Sequence, residues 1–83
     1  MVKVYGYTAW APYGNNRQGR HIVAAKSVSE VLRITGLTRY QFNNLGFETG
    51  NEEEILQAMS EPGTVFVRPL DAMGNVPWDR KES

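Results

Sequence analysis

Three helix-start signatures within residues 27–54 constrain this chain more than any other feature of its sequence. The pairs are Ser27 with Glu30, Thr38 with Gln41, and Asn51 with Glu54. In each pair the first side chain can accept a hydrogen bond from the third helical amide, and the second can reach back toward the start of the helix. Gly36, Gly46 and Pro62-Gly63 follow as stop signals. The middle of the chain is therefore predicted to form three short helices.

Strand patterns flank this helical region. Residues 2–10, 20–25 and 64–68 are rich in β-branched and aromatic side chains, which favour strands. The proline, glycine and asparagine content of residues 12–19 predicts a loop, whose length allows an antiparallel hairpin. We therefore expect an α+β fold, with a small, mainly antiparallel sheet of about three strands covered on one face by three short helices.

The length and composition bound the organisation of the protein. With 83 residues, the chain predicts a single small globular domain over 1–83, in which 71–83 form a loosely packed tail and Trp78 packs back. There is no cysteine, and the one histidine, His21, is expected to face solvent or the sheet edge. No apolar run has the length of a membrane span, and the chain opens on a strand pattern rather than a signal peptide. We expect no membrane contact.

The zero formal net charge conceals an asymmetry between the two halves of the chain. Through Phe47, six basic residues stand against one acidic residue, a net charge of +5; from Glu48 onward, three stand against eight, a net charge of −5. Such a split indicates either a basic surface for a polyanion or two halves that neutralise each other after folding. Both interpretations stay open at this stage, and so does self-association of opposite charges.

The segment SVSEVLRITGLTRYQFNNL, residues 27–45, contains two predicted helices joined at Gly36-Leu37. It resembles the helix-turn-helix of DNA-binding proteins, such as the winged excisionase-like and MerR-like classes, although Leu32 and Thr35 replace the small and the aliphatic residue usual there. The positions that such a motif buries are Val31, Leu37, Phe42 and Leu45. The resemblance implies a recognition helix at Thr38–Leu45 that presents Thr38, Arg39, Tyr40, Gln41, Asn43 and Asn44. The alternative is a helical hairpin that only covers the sheet.

Aromatic and cationic residues near the amino terminus form a second candidate site. Tyr5 and Tyr7 alternate along a strand and share one face, which is exposed if the helices cover the other face and part of the core otherwise. The predicted loop brings two arginines near Tyr13, a combination that suits an anionic partner, while arginines at a hairpin tip also serve solubility. The candidate partner-binding residues are Tyr5, Tyr7, Tyr13, Arg17 and Arg20.

The sequence shows no pattern typical of an enzyme. It contains no evident nucleophile–base pair, no paired-carboxylate motif and no nucleotide-binding fingerprint. The run Glu52-Glu53-Glu54 points in different directions from a helix start, which suits the helix dipole better than a metal ion. We therefore predict a non-enzymatic protein with no catalytic residue, cofactor or metal.

A second resemblance covers most of the chain. The segment GFETGNEEEILQAMSEPGTVFVRPLD, together with VKVYGYTAW and RHIVAAKS, is similar to small uncharacterised proteins of bacteriophages and prophages. The resemblance implies an accessory protein in the cytoplasm of a bacterial host. We expect it to bind a host or phage macromolecule, foremost a protein, with inhibition of that partner as one outcome. The alternatives are a helix-turn-helix DNA-binding protein and a protein whose arginine loop captures a small anionic ligand.

Overall fold

The computed structural model describes residues 2–9, 19–69 and 78–80. Five strands in this part of the chain form one sheet of order β3-β1-β2-β4-β5, in which every neighbouring pair is antiparallel. The strands are β1 (Lys3–Ala9), β2 (Gly19–Ala25), β3 (Gly46–Glu48), β4 (Phe66–Pro69) and β5 (Asp79–Arg80). The helices are α1 (Val28–Thr35), α2 (Arg39–Leu45) and α3 (Glu52–Met59). The expected α+β class is confirmed, but the sheet has five strands rather than about three.

The two additional strands are short edge strands. β3 has three residues and pairs with β1, where Phe47 lies opposite Gly6. β5 has two residues and pairs with β4, where Arg80 lies opposite Phe66. Part of the predicted tail therefore belongs to the sheet, and Trp78 packs against the apolar cluster that contains Phe66, as expected. The rest of that tail lies outside the described residues.

The three predicted helix starts are confirmed. Ser27 Oγ, Thr38 Oγ1 and Asn51 Oδ1 each accept from the amide three residues later, at 3.2, 3.1 and 3.1 Å. At the start of α1, Glu30 Oε1 accepts from the amide of Lys26 at 3.3 Å, one residue before the Ser27 amide that a capping box uses. None of the helices in the described part of the chain combines the length and the apolar character that crossing a membrane requires.

Helices cover both faces of the sheet, so the prediction of a single covered face is wrong. Helices α1 and α2 pack on the face that contributes Tyr5, Val23, Ala25 and Val65 to one apolar cluster. Helix α3 packs on the opposite face, which contributes Val4, Ile22, Ala24 and Phe66 to the other. The physical reason lies in β2, where residues 21–25 are all buried without polar alternation. A strand of this kind must be covered on both sides.

Candidate functional site

The structure removes Tyr5 and Tyr7 from any exposed contact surface. Tyr5 is 7% exposed and Tyr7 is 1% exposed. Tyr5 packs edge-on against Phe42 of α2, with ring centroids 6.0 Å apart, because α1 and α2 cover the face that carries the tyrosines. The interpretation of an exposed aromatic patch is therefore wrong for these two rings, and the core interpretation is correct. Tyr13 and Arg17 lie outside the described residues.

His21 is also buried, contrary to the expectation of a solvent-facing or edge position. Its ring stacks on Tyr7 with centroids 4.7 Å apart, and its Nδ1 lies 2.9 Å from the carbonyl oxygen of Gly19. No described residue forms a hydrogen bond with the Tyr7 hydroxyl. Burial raises the pKa of Tyr7 to about 12, so its phenol stays protonated through the physiological pH range.

Arg20, the remaining member of the predicted contact set, is held inside the protein. Its Nε and Nη2 donate to the two carboxylate oxygens of Glu54 at 2.8 and 2.9 Å, and its guanidinium lies 4.7 Å from the Phe47 ring centroid. Thr49 Oγ1 donates to Glu54 Oε1 at 2.7 Å. Gly6 leaves the space that this arrangement needs, since a Cβ there would stand 2.7 Å from Arg20 Cζ. Arg20 therefore ties β2 to α3 rather than facing a partner.

The three consecutive acids at the start of α3 have different surroundings. Burial raises the pKa of Glu54, but the hydrogen bonds from Arg20 and Thr49, with the nearby positive charges, outweigh it and hold that pKa below its ordinary value. Glu53 pairs with Arg68 at 2.7 Å, whereas Glu52 is exposed. Among the residues that the structure describes, no group of three or more acidic or histidine side chains is placed to hold a metal ion.

Ion pairs neutralise part of the charge asymmetry between the two halves. Lys3 pairs with Glu48 at 3.4 Å and Arg20 with Glu54 at 2.8 Å, so two basic residues of the first half meet acids of the second. The interpretation of mutual neutralisation is therefore correct for these residues. Within the part of the chain that the structure describes, no acid of the second half pairs with a basic residue of the segment that forms α1 and α2.

Residues 26–45 retain a positive charge. They contain Lys26, Arg33 and Arg39 against the single acid Glu30, a net charge of +2. Glu30 lies 3.7 Å from Arg33, and α2 itself contains no acid. Because α1 and α2 pack on the same face of the sheet, this charge lies on one side of the protein.

Helix α2 exposes the residues that the helix-turn-helix resemblance implies. We define the α2 surface as the exposed residues Thr38, Arg39, Tyr40, Gln41, Asn43 and Asn44. Among these residues Tyr40 is the aromatic one, and it is 78% exposed. Phe42, two positions further along and hence on the opposite side of the helix, is buried against the sheet. Within residues 38–44, the polar side chains are therefore exposed while Phe42 is buried.

The turn before α2 is built from specific contacts. Gly36 takes a left-handed conformation with φ of 78° and ends α1. Thr35 Oγ1 donates to the carbonyl of Val31 at 2.7 Å and accepts from the amide of Leu37 at 3.3 Å, so this threonine has a structural use in the turn. Val31 is buried and Leu37 is partly buried, a pattern that does not distinguish the helix-turn-helix interpretation from the helical-hairpin interpretation. The side chain of Leu45 lies outside the described part.

The partner of Arg20 is a residue that the sequence alone does not predict. Glu54 lies 34 positions away along the chain, so no local pattern connects the two residues. The available signal was an arginine at the start of an otherwise apolar strand, since a buried cation requires a carboxylate partner.

Comparisons of the chain with protein-family models, curated proteins and solved structures gave no match. The chemistry of the site must therefore carry the functional inference.

Proposed function

We propose that this chain is a non-enzymatic binding protein that contacts nucleic acid through the α2 surface. The observation that carries the proposal is the exposed ring of Tyr40 on a helix side that has amide and guanidinium neighbours and no carboxylate. Nucleic acids offer phosphates to cations, base edges to amides and base faces to aromatic rings. This combination matches the residue types of the α2 surface.

The distribution of charge supports the same side of the protein. Lys26, Arg33 and Arg39 can neutralise about three phosphates, which supplies modest, strongly salt-dependent affinity. In contrast, two arginines of the second half form ion pairs with carboxylates. Arg68 Nη1 lies 2.7 Å from Glu53 Oε1, and Arg80 Nη2 lies 2.7 Å from Glu61 Oε2. A polyanion therefore encounters less competition from carboxylates at α1 and α2 than near α3.

A binding assay with matched charge variants tests the proposal. Fluorescence anisotropy measures the affinity of the chain for labelled single-stranded and duplex DNA at low salt. Arg39→Gln and Arg80→Gln each remove one positive charge. Helix α2 contacts β1 and β3, at one edge of the sheet, whereas Arg80 lies in β5 at the other edge. We expect Arg39→Gln to weaken binding and Arg80→Gln to leave it unchanged. Equal effects of the two variants, or no binding at low salt, would contradict the proposal.

A protein partner is the second candidate, and one observation favours it. Leu56 and Met59, three residues apart on α3, are both exposed apolar side chains. They lie on the other face of the sheet from α2, so the two candidate surfaces are separate. We also predict an accessory role in a bacteriophage or prophage, in the cytoplasm of a bacterial host. This prediction is compatible with either candidate partner.

Purification of the tagged chain after nuclease treatment separates the two candidates. If a protein partner docks on α3, a discrete protein stays bound after nuclease treatment and is lost from the Leu56→Glu variant. If the partner is a nucleic acid at α2, nuclease removes what co-purifies, and Leu56→Glu binds DNA as the parent chain does.

A further inference from the structure

We infer that the nucleic acid is single-stranded and that Tyr40 stacks on one of its unpaired bases. The inference rests on the proposed function, because it names the class of nucleic acid that the α2 surface takes. The starting point is the position of Tyr40, which is 78% exposed and opposite the buried Phe42. An aromatic ring in this position offers a free face to a flat, polarisable ligand.

Of the five polar side chains on the α2 surface other than Tyr40, four already make hydrogen bonds within the protein: Thr38, Arg39, Gln41 and Asn44. Gln41 Oε1 accepts from the amide of Thr38 at 2.9 Å, and the Thr38 hydroxyl accepts from the amide of Gln41 at 3.1 Å. Asn44 Nδ2 donates to the carbonyl of Tyr40 at 3.0 Å, and Arg39 Nη2 donates to Ser29 Oγ at 3.4 Å. Reading base edges in the major groove requires such amides and guanidinium groups to make paired hydrogen bonds with the bases.

Stacking makes no such demand on the polar groups. A base in a duplex is covered above and below by its neighbours, whereas an unpaired base presents its face to an aromatic side chain. Tyr40 can therefore bind a single strand while the hydrogen bonds of Thr38, Gln41 and Asn44 stay in place. Arg33 and Arg39 supply positive charge for the phosphates on either side of the stacked base.

The experiment compares an oligothymidine of about 12 nucleotides, within the span of a small single-strand site, with a duplex of the same length. We expect the chain to bind the single strand more tightly. Tyr40→Ala and Tyr40→Gln should each weaken single-strand binding roughly fivefold or more, since both remove the ring, while Tyr40→Phe should stay close to the parent chain. Leu56→Ala, which truncates an exposed side chain on the other face, should have no effect. Thermal unfolding of each variant checks that it folds.

Tighter duplex binding that depends on Asn43 or Arg39 would overturn the single-strand inference and leave the proposed function standing. Single-strand binding that is unchanged in both Tyr40→Ala and Tyr40→Gln would overturn the stacking role in the same way. Absence of binding to either nucleic acid at low salt would overturn the inference and the proposed function together.

Discussion

At the scale of single residues, Arg20 illustrates how one side chain can belong to the interior of this protein despite its charge. Its guanidinium crosses the space above Gly6, meets both oxygens of Glu54 and lies over Phe47. The Arg20 and Glu54 side chains are only 14% and 8% exposed. Removing one partner of such a pair leaves the other charge buried without compensation, which is far more costly than losing a surface ion pair.

The first prediction concerns the stability of a Glu54→Gln variant. We expect the free energy of unfolding to fall by about 3 kcal/mol, because Arg20 loses its buried counter-charge. Glu53→Gln, the adjacent control, removes a more exposed pair with Arg68 and should cost less than about 1 kcal/mol. Urea unfolding followed by circular dichroism measures both values. Similar losses in the two variants would show that the Arg20–Glu54 pair has no special weight.

The second prediction concerns pH and follows from the lowered pKa of Glu54. A carboxyl whose pKa is lower in the folded state stabilises that state above its unfolded pKa of about 4.3, and this contribution is lost as the pH falls through the folded pKa. The difference in unfolding free energy between the parent chain and Glu54→Gln should therefore shrink below about pH 4.3. Urea unfolding at a series of pH values measures the difference. A constant difference across the acid range would contradict this interpretation.

At the scale of secondary-structure elements, the parts that sequence could predict are those with local chemical signals. The helix starts at Ser27, Thr38 and Asn51 depend on residues three positions apart, so the sequence contains the whole signal. β3 and β5 are different, because two or three residues become a strand only through pairing with β1 and β4. The two-sided burial of β2 has a local signal in the unbroken apolar run Ile22–Ala25, because a strand without polar alternation needs cover on both faces.

The third prediction tests the capping of α2. Thr38→Ala should lower the free energy of unfolding by about 1 kcal/mol, because the Gln41 amide loses its partner at the helix start. Asn43→Ala, an exposed substitution on the same helix, should change stability by less than about 0.5 kcal/mol. Thermal and urea unfolding provide the comparison. If Thr38→Ala matched Asn43→Ala, the cap would contribute nothing to the stability of the protein.

Over the domain as a whole, folding sorts the charges that the sequence separates only into halves. Pairs such as Lys3 with Glu48 join the halves, while residues 26–45 keep a net charge of +2. Sequence could reveal the asymmetry but not this outcome, since the pairing partners are brought together by the sheet and by α3. The exposure of Tyr40 and the burial of Tyr5 and Tyr7 depend in the same way on which faces the helices cover.

The fourth prediction concerns the salt dependence of binding. If Lys26, Arg33 and Arg39 contact about three phosphates, log K for a single strand should fall against log salt with a slope of about −2. Arg39→Gln should reduce the magnitude of that slope by about 0.7, and Arg80→Gln should leave it unchanged. Anisotropy titrations between about 50 and about 200 mM salt measure the slopes. A slope near zero would exclude phosphate contacts as a source of affinity.

Amide chemical-shift mapping during titration with oligothymidine locates the contact surface without any substitution. We predict that the largest shifts occur at residues 38–44, with smaller shifts at 26–33, and that residues 52–61 of the opposite face do not shift. Shifts concentrated in 52–61, or no shifts at low salt, would contradict the assignment of nucleic-acid binding to the α2 surface.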